Sequence, residues 1–358
     1  MKKMFWMLGV AVAALTSCTN DEVVEVNQSN LIKFESFVNK GTRAVTETTK
    51  NGLTKFYVFG YHNGDSDPVF SNDYVQKNNN DWSNEVAKNW TANTYYFGAY
   101  ATKNESEKLS TTPLASFSNV GTLTISDYSV GSMDPENHST DDLIAAVKTV
   151  NNTQLTNSAV SLDFKHLLSQ VKFEFNNNNE GYFMTVSDIV FKAMPTGNCT
   201  IDKEGVISWT LKDGLTSSDS LTYTYPGTGS EVYIPANESF ESVCYLVLPV
   251  DIAVTTCANF TISFYERVGA EGNYTYNLMQ TIPYQNISLI GTSGPTDNDP
   301  NNNTDQENVT SWLPGYIYNY KAYFPINPSE IVFTVNTVED WQDNEVNDNT
   351  VNNESVEF

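Results

Sequence analysis

From residue 31 to residue 338 the chain is a succession of short runs of Val, Ile, Tyr, Phe and Thr, alternating or wholly apolar, parted by turn residues. This is the pattern of β-strands. Successive side chains of a strand face opposite sides, and branched or aromatic groups fill a pleated surface. The first run is 31–38 (LIKFESFV), with Ile32, Phe34 and Val38 on one face. The others are 53–61, 94–101, 121–130, 158–164, 170–175, 182–194, 205–212, 231–235, 242–250, 259–268, 273–290, 316–324 and 330–338. Asn51-Gly52, Asn63-Gly64 and the Asn176–Gly181 cluster supply turns between them. Only 139–150 (STDDLIAAVKTV) and 164–170 read as briefly helical. Strands follow strands without βα alternation, so an all-β chain of sandwiches is expected, not a parallel sheet. A polar stretch at 151–157 (NNTQLTN) marks an expected domain boundary, and 291–310 is expected to be a long surface loop of the second domain.

Composition narrows the class further. A chain of 358 residues is long enough for about two domains, and 40% hydrophobic residues suffice for a core. With 19 Lys+Arg against 43 Asp+Glu the net charge is −24. No basic face is available to displace counterions from phosphates, so nucleic acid is excluded as a partner. Charge-driven adhesion to anionic lipid is disfavoured for the same reason. The arginines are Arg43 and Arg267 alone.

The N-terminus is MKKMFWMLGVAVAALTSC. Lys2 and Lys3 form a basic start, and the apolar stretch from Met4 to Leu15 is shorter than the roughly 20 residues a membrane-spanning helix needs. Residues 1–17 therefore read as a signal peptide. Leu15-Thr16-Ser17-Cys18 resembles the bacterial lipobox, in which the cysteine thiol receives a diacylglycerol, the peptide is cut before it and the new amine is acylated. Several acyl chains together hold a protein stably on a membrane. Thr19-Asn20-Asp21-Glu22 resembles an acidic surface-export signal, so an outward-facing outer-membrane lipoprotein is expected.

Little in the chain suggests chemistry. With Cys18 lipidated, Cys199, Cys244 and Cys257 remain, an odd set expected to be mainly buried free thiols. Cys244 and Cys257 facing each other across a hairpin is the alternative. The histidines are His62, His138 and His166, and no nucleophile motif accompanies them. His138 beside Asp141 and Asp142 is the nearest approach to a catalytic set, with a solvated loop as the plainer reading. His166, ahead of Leu167-Leu168, reads as a hydrogen-bonded, partly buried residue. Residues 297–305 (DNDPNNNTD) place oxygens at alternating positions but lack the Gly and bidentate Glu of a calcium loop. No catalytic residue, metal or cofactor is expected. Trp82, Trp90, Trp209, Trp312 and Trp341 are scattered, as core residues are; exposed, such rings stack on sugars.

Three segments carry a family resemblance. Leu31–Tyr61 contains IKF, then GTRA, then LTKFYVFGY; residues 142–175 read DLIAAVKT and VSLDFKHLLSQVKFEF; residues 310–341 read TSWLPGYIYNYKAYFPINPSEIVFTVNTVEDW. With the lipobox, they resemble the fimbrillin family, the subunits of type V pili of Gram-negative anaerobes. The resemblance implies two tandem transthyretin-like β-sandwich domains after the signal peptide. It also implies a lipidated pro-segment (18–43), cut by an Arg-specific surface protease between Arg43 and Ala44, with Lys40 as an alternative for another protease. The domains would be 44–157 and 158–358. Cutting there removes the 31–38 strand as a plug and opens a groove, to be filled by a strand from another pilin subunit. Stalk subunits of the family carry a C-terminal donor strand, whereas the tail after Trp341 (QDNEVNDNTVNNESVEF) is too polar for one. Either 331–338 is the donor or the chain accepts a strand without giving one. The second, an accessory or tip-like subunit, is the expectation; an anchor that keeps its lipid stays open. The rival class is a stand-alone surface lipoprotein that binds glycans or host protein with its first strand permanently in place.

Overall fold

A computed structural model describes residues 30–38, 53–78, 81–102, 108–131, 142–226, 229–252, 256–270, 273–292, 308–324 and 334–340. The first nine strands are β1 (Phe34–Val38), β2 (Lys55–His62), β3 (Pro68–Asn78), β4 (Asp81–Asn84), β5 (Thr94–Thr102), β6 (Leu114–Phe117), β7 (Leu123–Ser129), β8 (Leu143–Asn151) and β9 (Val160–His166). Then come β10 (Ser169–Asn177), β11 (Tyr182–Ala193), β12 (Thr196–Ile201), β13 (Ile207–Leu211), β14 (Leu221–Tyr225), β15 (Glu231–Ile234), β16 (Ser239–Glu241) and β17 (Tyr245–Val247). The last are β18 (Cys257–Ala270), β19 (Asn273–Ser288), β20 (Gly291–Thr292), β21 (Asn308–Val309), β22 (Tyr316–Phe324) and β23 (Thr334–Asp340). No α-helix occurs among the described residues. The chain is all-β.

One sheet has seven strands in the order β1-β9-β8-β5-β2-β3-β4. A four-stranded sheet, β13-β12-β7-β6, covers one of its faces through Phe117, Leu123, Ile125, Cys199 and Ile201, which pack on Tyr57, Tyr100 and Ala145. Gly98 of β5 permits that approach, since a Cβ there would stand 2.5 Å from the Phe117 ring. The other face has its own core, built from Phe56, Val58, Phe97, Ile144, Val160, Leu162 and Phe164. A third core lies between the sheets of β10 and β22 and of β11 and β18, with Phe173, Phe175, Met184, Phe260 and Tyr320 at its centre.

Because the seven-stranded sheet is covered on both faces, its middle strands are apolar on both sides and lose the alternating pattern. Leu143 to Ala146 are all buried. This corrects the helical reading of 139–150: residues from Leu143 onward are a strand paired along its length with β5. A short apolar run without alternation has no period by which strand and helix can be told apart. The helical reading of 164–170 is corrected likewise, since these residues end β9 and begin β10.

The expected boundary at 151–157 falls between two strands of one sheet. β8 pairs with β9 at Ile144↔His166 and Ala145↔Lys165, and β12 returns to pair with β7, carrying β13 on its other side. Strand pairing therefore does not divide the chain at 157. The intervening turn is ordered by Asn152, 1% exposed, whose Oδ1 accepts from the Asn157 N–H at 3.1 Å and the Thr156 hydroxyl at 3.2 Å.

Most pairings are antiparallel; β1–β9 and β10–β22 are parallel. On the latter pair Glu174 is 2.7 Å from Lys321 Nζ and accepts from Asn319 Nδ2 at 2.9 Å. Burial pushes the Glu174 pKa up, but these donors prevail and hold it below the usual carboxylate value.

Candidate functional site

The first strand of the chain is seated in the core of the seven-stranded sheet. The alternation of LIKFESFV is realised over its first part, where Ile32 and Phe34 are 0% and 2% exposed while Lys33 and Glu35 face out. The Phe34 ring meets Phe70 at 5.4 Å, Phe97 at 5.6 Å and Phe56 at 6.1 Å, each edge-on. Such pairs are the favoured arrangement for aromatic quadrupoles. Val38 continues the strand in register with Phe164, its backbone alone being described.

Among the described residues β1 has one ladder partner, β9, over Phe34↔Val160 to Val38↔Phe164. Its N-terminal approach is held from the other side. The Ile32 N–H donates to the Lys88 carbonyl at 2.8 Å, and the Trp90 N–H donates to the Asn30 carbonyl at 2.7 Å. Asn84 Nδ2 donates to the Ile32 carbonyl at 2.7 Å, and Asn157 Nδ2 to Asn30 Oδ1 at 3.1 Å. A cleft of about 260 Å³ lies beside this approach, lined by Leu31, Ile32, Lys33, Trp82, Ser83, Asn84 and Ala87. What this arrangement does is geometric rather than catalytic. One short strand completes both a sheet edge and an apolar core.

Other expected features distribute as follows. Cys18, Arg43 and Ala44 lie outside the described residues, as do His138, Asp141, Trp341, the 297–305 loop and the tail after Trp341. Asp142 is bound instead to His166, its Oδ2 2.9 Å from Nδ1, with both residues buried. His166 is thus more deeply buried than expected. His62 pairs with Asp65 on the surface at 2.9 Å. Cys199 is a buried free thiol and Cys257 a half-buried one, and Cys244 is half-buried. No cluster of metal-ligating side chains occurs among the described residues. Trp90 and Trp312 are buried, and Trp82 and Trp209 half-buried. Of the stretch expected as the strand 330–338, the part from Thr334 onward belongs to β23, antiparallel to β22, and 330–333 lie outside the described residues.

Sequence reasoning missed one surface. The hairpin of β18 and β19 exposes Val268, Tyr274, Tyr276, Leu278 and Met279, with Tyr233 of β15 nearby. Phe183 lies beneath Tyr233 and Tyr276, at 4.4 and 4.6 Å, and the Arg267 guanidinium is 4.4 Å from the Tyr274 ring centre. The signal was present in NYTYNLM, where an edge strand leaves one side unpaired and its apolar residues find no cover.

Residues 42–341 match the family described as fimbrillin-like. The chain belongs to that family. Among solved structures, this fimbrillin-like chain is similar to a fimbrial protein of Bacteroides vulgatus, 12% identical, with a TM-score of 0.55 over 87% of this chain and 99% of that one. It also matches candidate cell adhesion proteins of Bacteroides uniformis and Bacteroides ovatus. The first is 15% identical, with a TM-score of 0.40 over 87% of this chain and 99% of that one. The second is 14% identical, with a TM-score of 0.44 over 87% of this chain and 97% of that one. At such identities the likeness to the first is one of fold. No curated protein matches the sequence.

Proposed function

We propose that this fimbrillin-like chain is a subunit of a surface fibre, accessory or tip-like, that joins its neighbours by strand exchange and contributes to adhesion. It reaches the outer membrane as a lipoprotein on Cys18. An Arg-specific surface protease cuts between Arg43 and Ala44, and the lipidated segment leaves with β1.

The observation that carries the reading is the seat of β1. Ile32 and Phe34 are core residues, yet they lie ahead of the family span, which begins at residue 42. Burying such side chains stabilises a core by about 1.5–3 kcal/mol each. Their departure exposes a groove lined by Phe56, Phe70 and Phe97 and leaves β9 as a sheet edge. An open edge above an apolar groove is a template for a strand from another subunit. The tip-like position is favoured by the tail after Trp341, whose apolar residues are only Val346, Val351, Val356 and Phe358.

The test is digestion of the purified precursor with an Arg-specific protease, followed by N-terminal sequencing and size-exclusion chromatography. An Ala44 terminus is expected, together with oligomers or uptake of a peptide copying residues 30–38. A cut chain that stays monomeric and ignores the peptide refutes strand exchange.

The exposed aromatic hairpin favours a second reading, a stand-alone lipoprotein that binds a glycan or host protein. Mass spectrometry of protein taken from cells separates the two. An intact lipidated Cys18 terminus fits this reading, an Ala44 terminus the first.

A further inference from the structure

The two ends of the first strand are gripped unequally. From Phe34 to Val38 the strand is laddered, among the described residues, to β9 alone. Over the three residues Asn30 to Ile32 it is bonded from outside that ladder by Asn84, Lys88, Trp90 and Asn157. Leu31 also forms an antiparallel bridge with Asn89. β4, which carries Asn84, and β1 are the outermost strands at opposite ends of the seven-stranded sheet. The Asn84–Ile32 bond therefore ties one edge of the sheet to the other.

We propose that Asn84, with the backbone of Lys88 to Trp90, is a latch that makes the Asn30–Ile32 end of β1 the last part to leave. The strand opens from its Val38 end, and the latch sets the rate at which its seat becomes free. Asn157 steadies the same end from the turn ordered by Asn152. Asn84 is a positioning residue: it holds a backbone carbonyl and reacts with nothing. Only the identity of the incoming strand rests on the proposed function; the order of opening does not.

Amide hydrogen exchange on the intact full chain, read residue by residue by mass spectrometry, tests this without any cut. The amides of residues 36–38 are expected to exchange ahead of that of Ile32. Asn84→Ala should speed exchange across β1 about fivefold, the loss of one hydrogen bond, while leaving β10 and β22 unchanged. Asn84→Asp keeps the shape but removes the donor, and should match it. Asn157→Ala should act in the same direction more weakly, and it serves where a change at Asn84 prevents folding. Exchange of Ile32 together with or before 36–38, or exchange unmoved in the variants, overturns the latch. A protease-cut chain that rejects the 30–38 peptide while the exchange results hold overturns the proposed function and leaves the latch standing.

Discussion

Truncating Phe34 to alanine asks how much of the seven-stranded sheet depends on the packing of its edge strand β1. The ring is 2% exposed and lies edge-on to three others, Phe56, Phe70 and Phe97. The backbone of β1 makes the same ladder whether or not the ring is present, so the change isolates side-chain packing. Loss of a fully buried phenylalanine costs about 3–5 kcal/mol, as transfer and cavity contributions together. The rigid rings around the site leave little room to collapse, which places the expected loss in the upper half of that range. Urea unfolding of the full chain, followed by tryptophan fluorescence, reads it, because Trp90 belongs to the same core. Lys33→Ala, on the outward face of the same segment, should change stability by less than about 0.5 kcal/mol. If Phe34→Ala costs under about 1 kcal/mol, the segment is not a structural member of the core, and its removal could open no groove worth filling.

Three further outcomes are expected. Glu174 has a lowered pKa, so its contribution is present above the unfolded carboxylate value and is lost as pH falls through the lower folded one; Glu174→Gln should flatten stability against pH in that acid range, checked by urea midpoints from pH 6 downward. Burial pushes the Cys199 thiol pKa up, so iodoacetamide at mildly alkaline pH should leave Cys199 unmodified until the chain is unfolded, as peptide mass mapping would show. Gly98→Ala drives a methyl group into the Phe117 ring and should cost about 1–3 kcal/mol, read as a lowered melting temperature.

Many of the strands and the first strand's inward face were legible because both are written in alternation, and Ile32 and Phe34 are inward where LIKFESFV places them, whereas β3, β4, β6, β12 and β14 fell outside the expected runs. Leu143 to Ala146 hid their nature because a strand covered on both faces has no polar side to display. The order of the turn at 151–157 was hidden for a different reason. Its asparagines look like a solvated linker, but Asn152 is buried and uses its side chain to bond the turn together. The partners of Ile32 were beyond reach altogether: Asn84 and Lys88 meet it through tertiary closure of the sheet, which no local pattern encodes.

The return of β12 to β7 joins the two halves of the path. The path leaves the first sheet at β9, builds β10 and β11 beside the third core, returns to the first half, and then goes out again to β14. Parting the β10–β11 region from the first sheets would therefore mean breaking the β12–β7 ladder along its length, not stretching a linker.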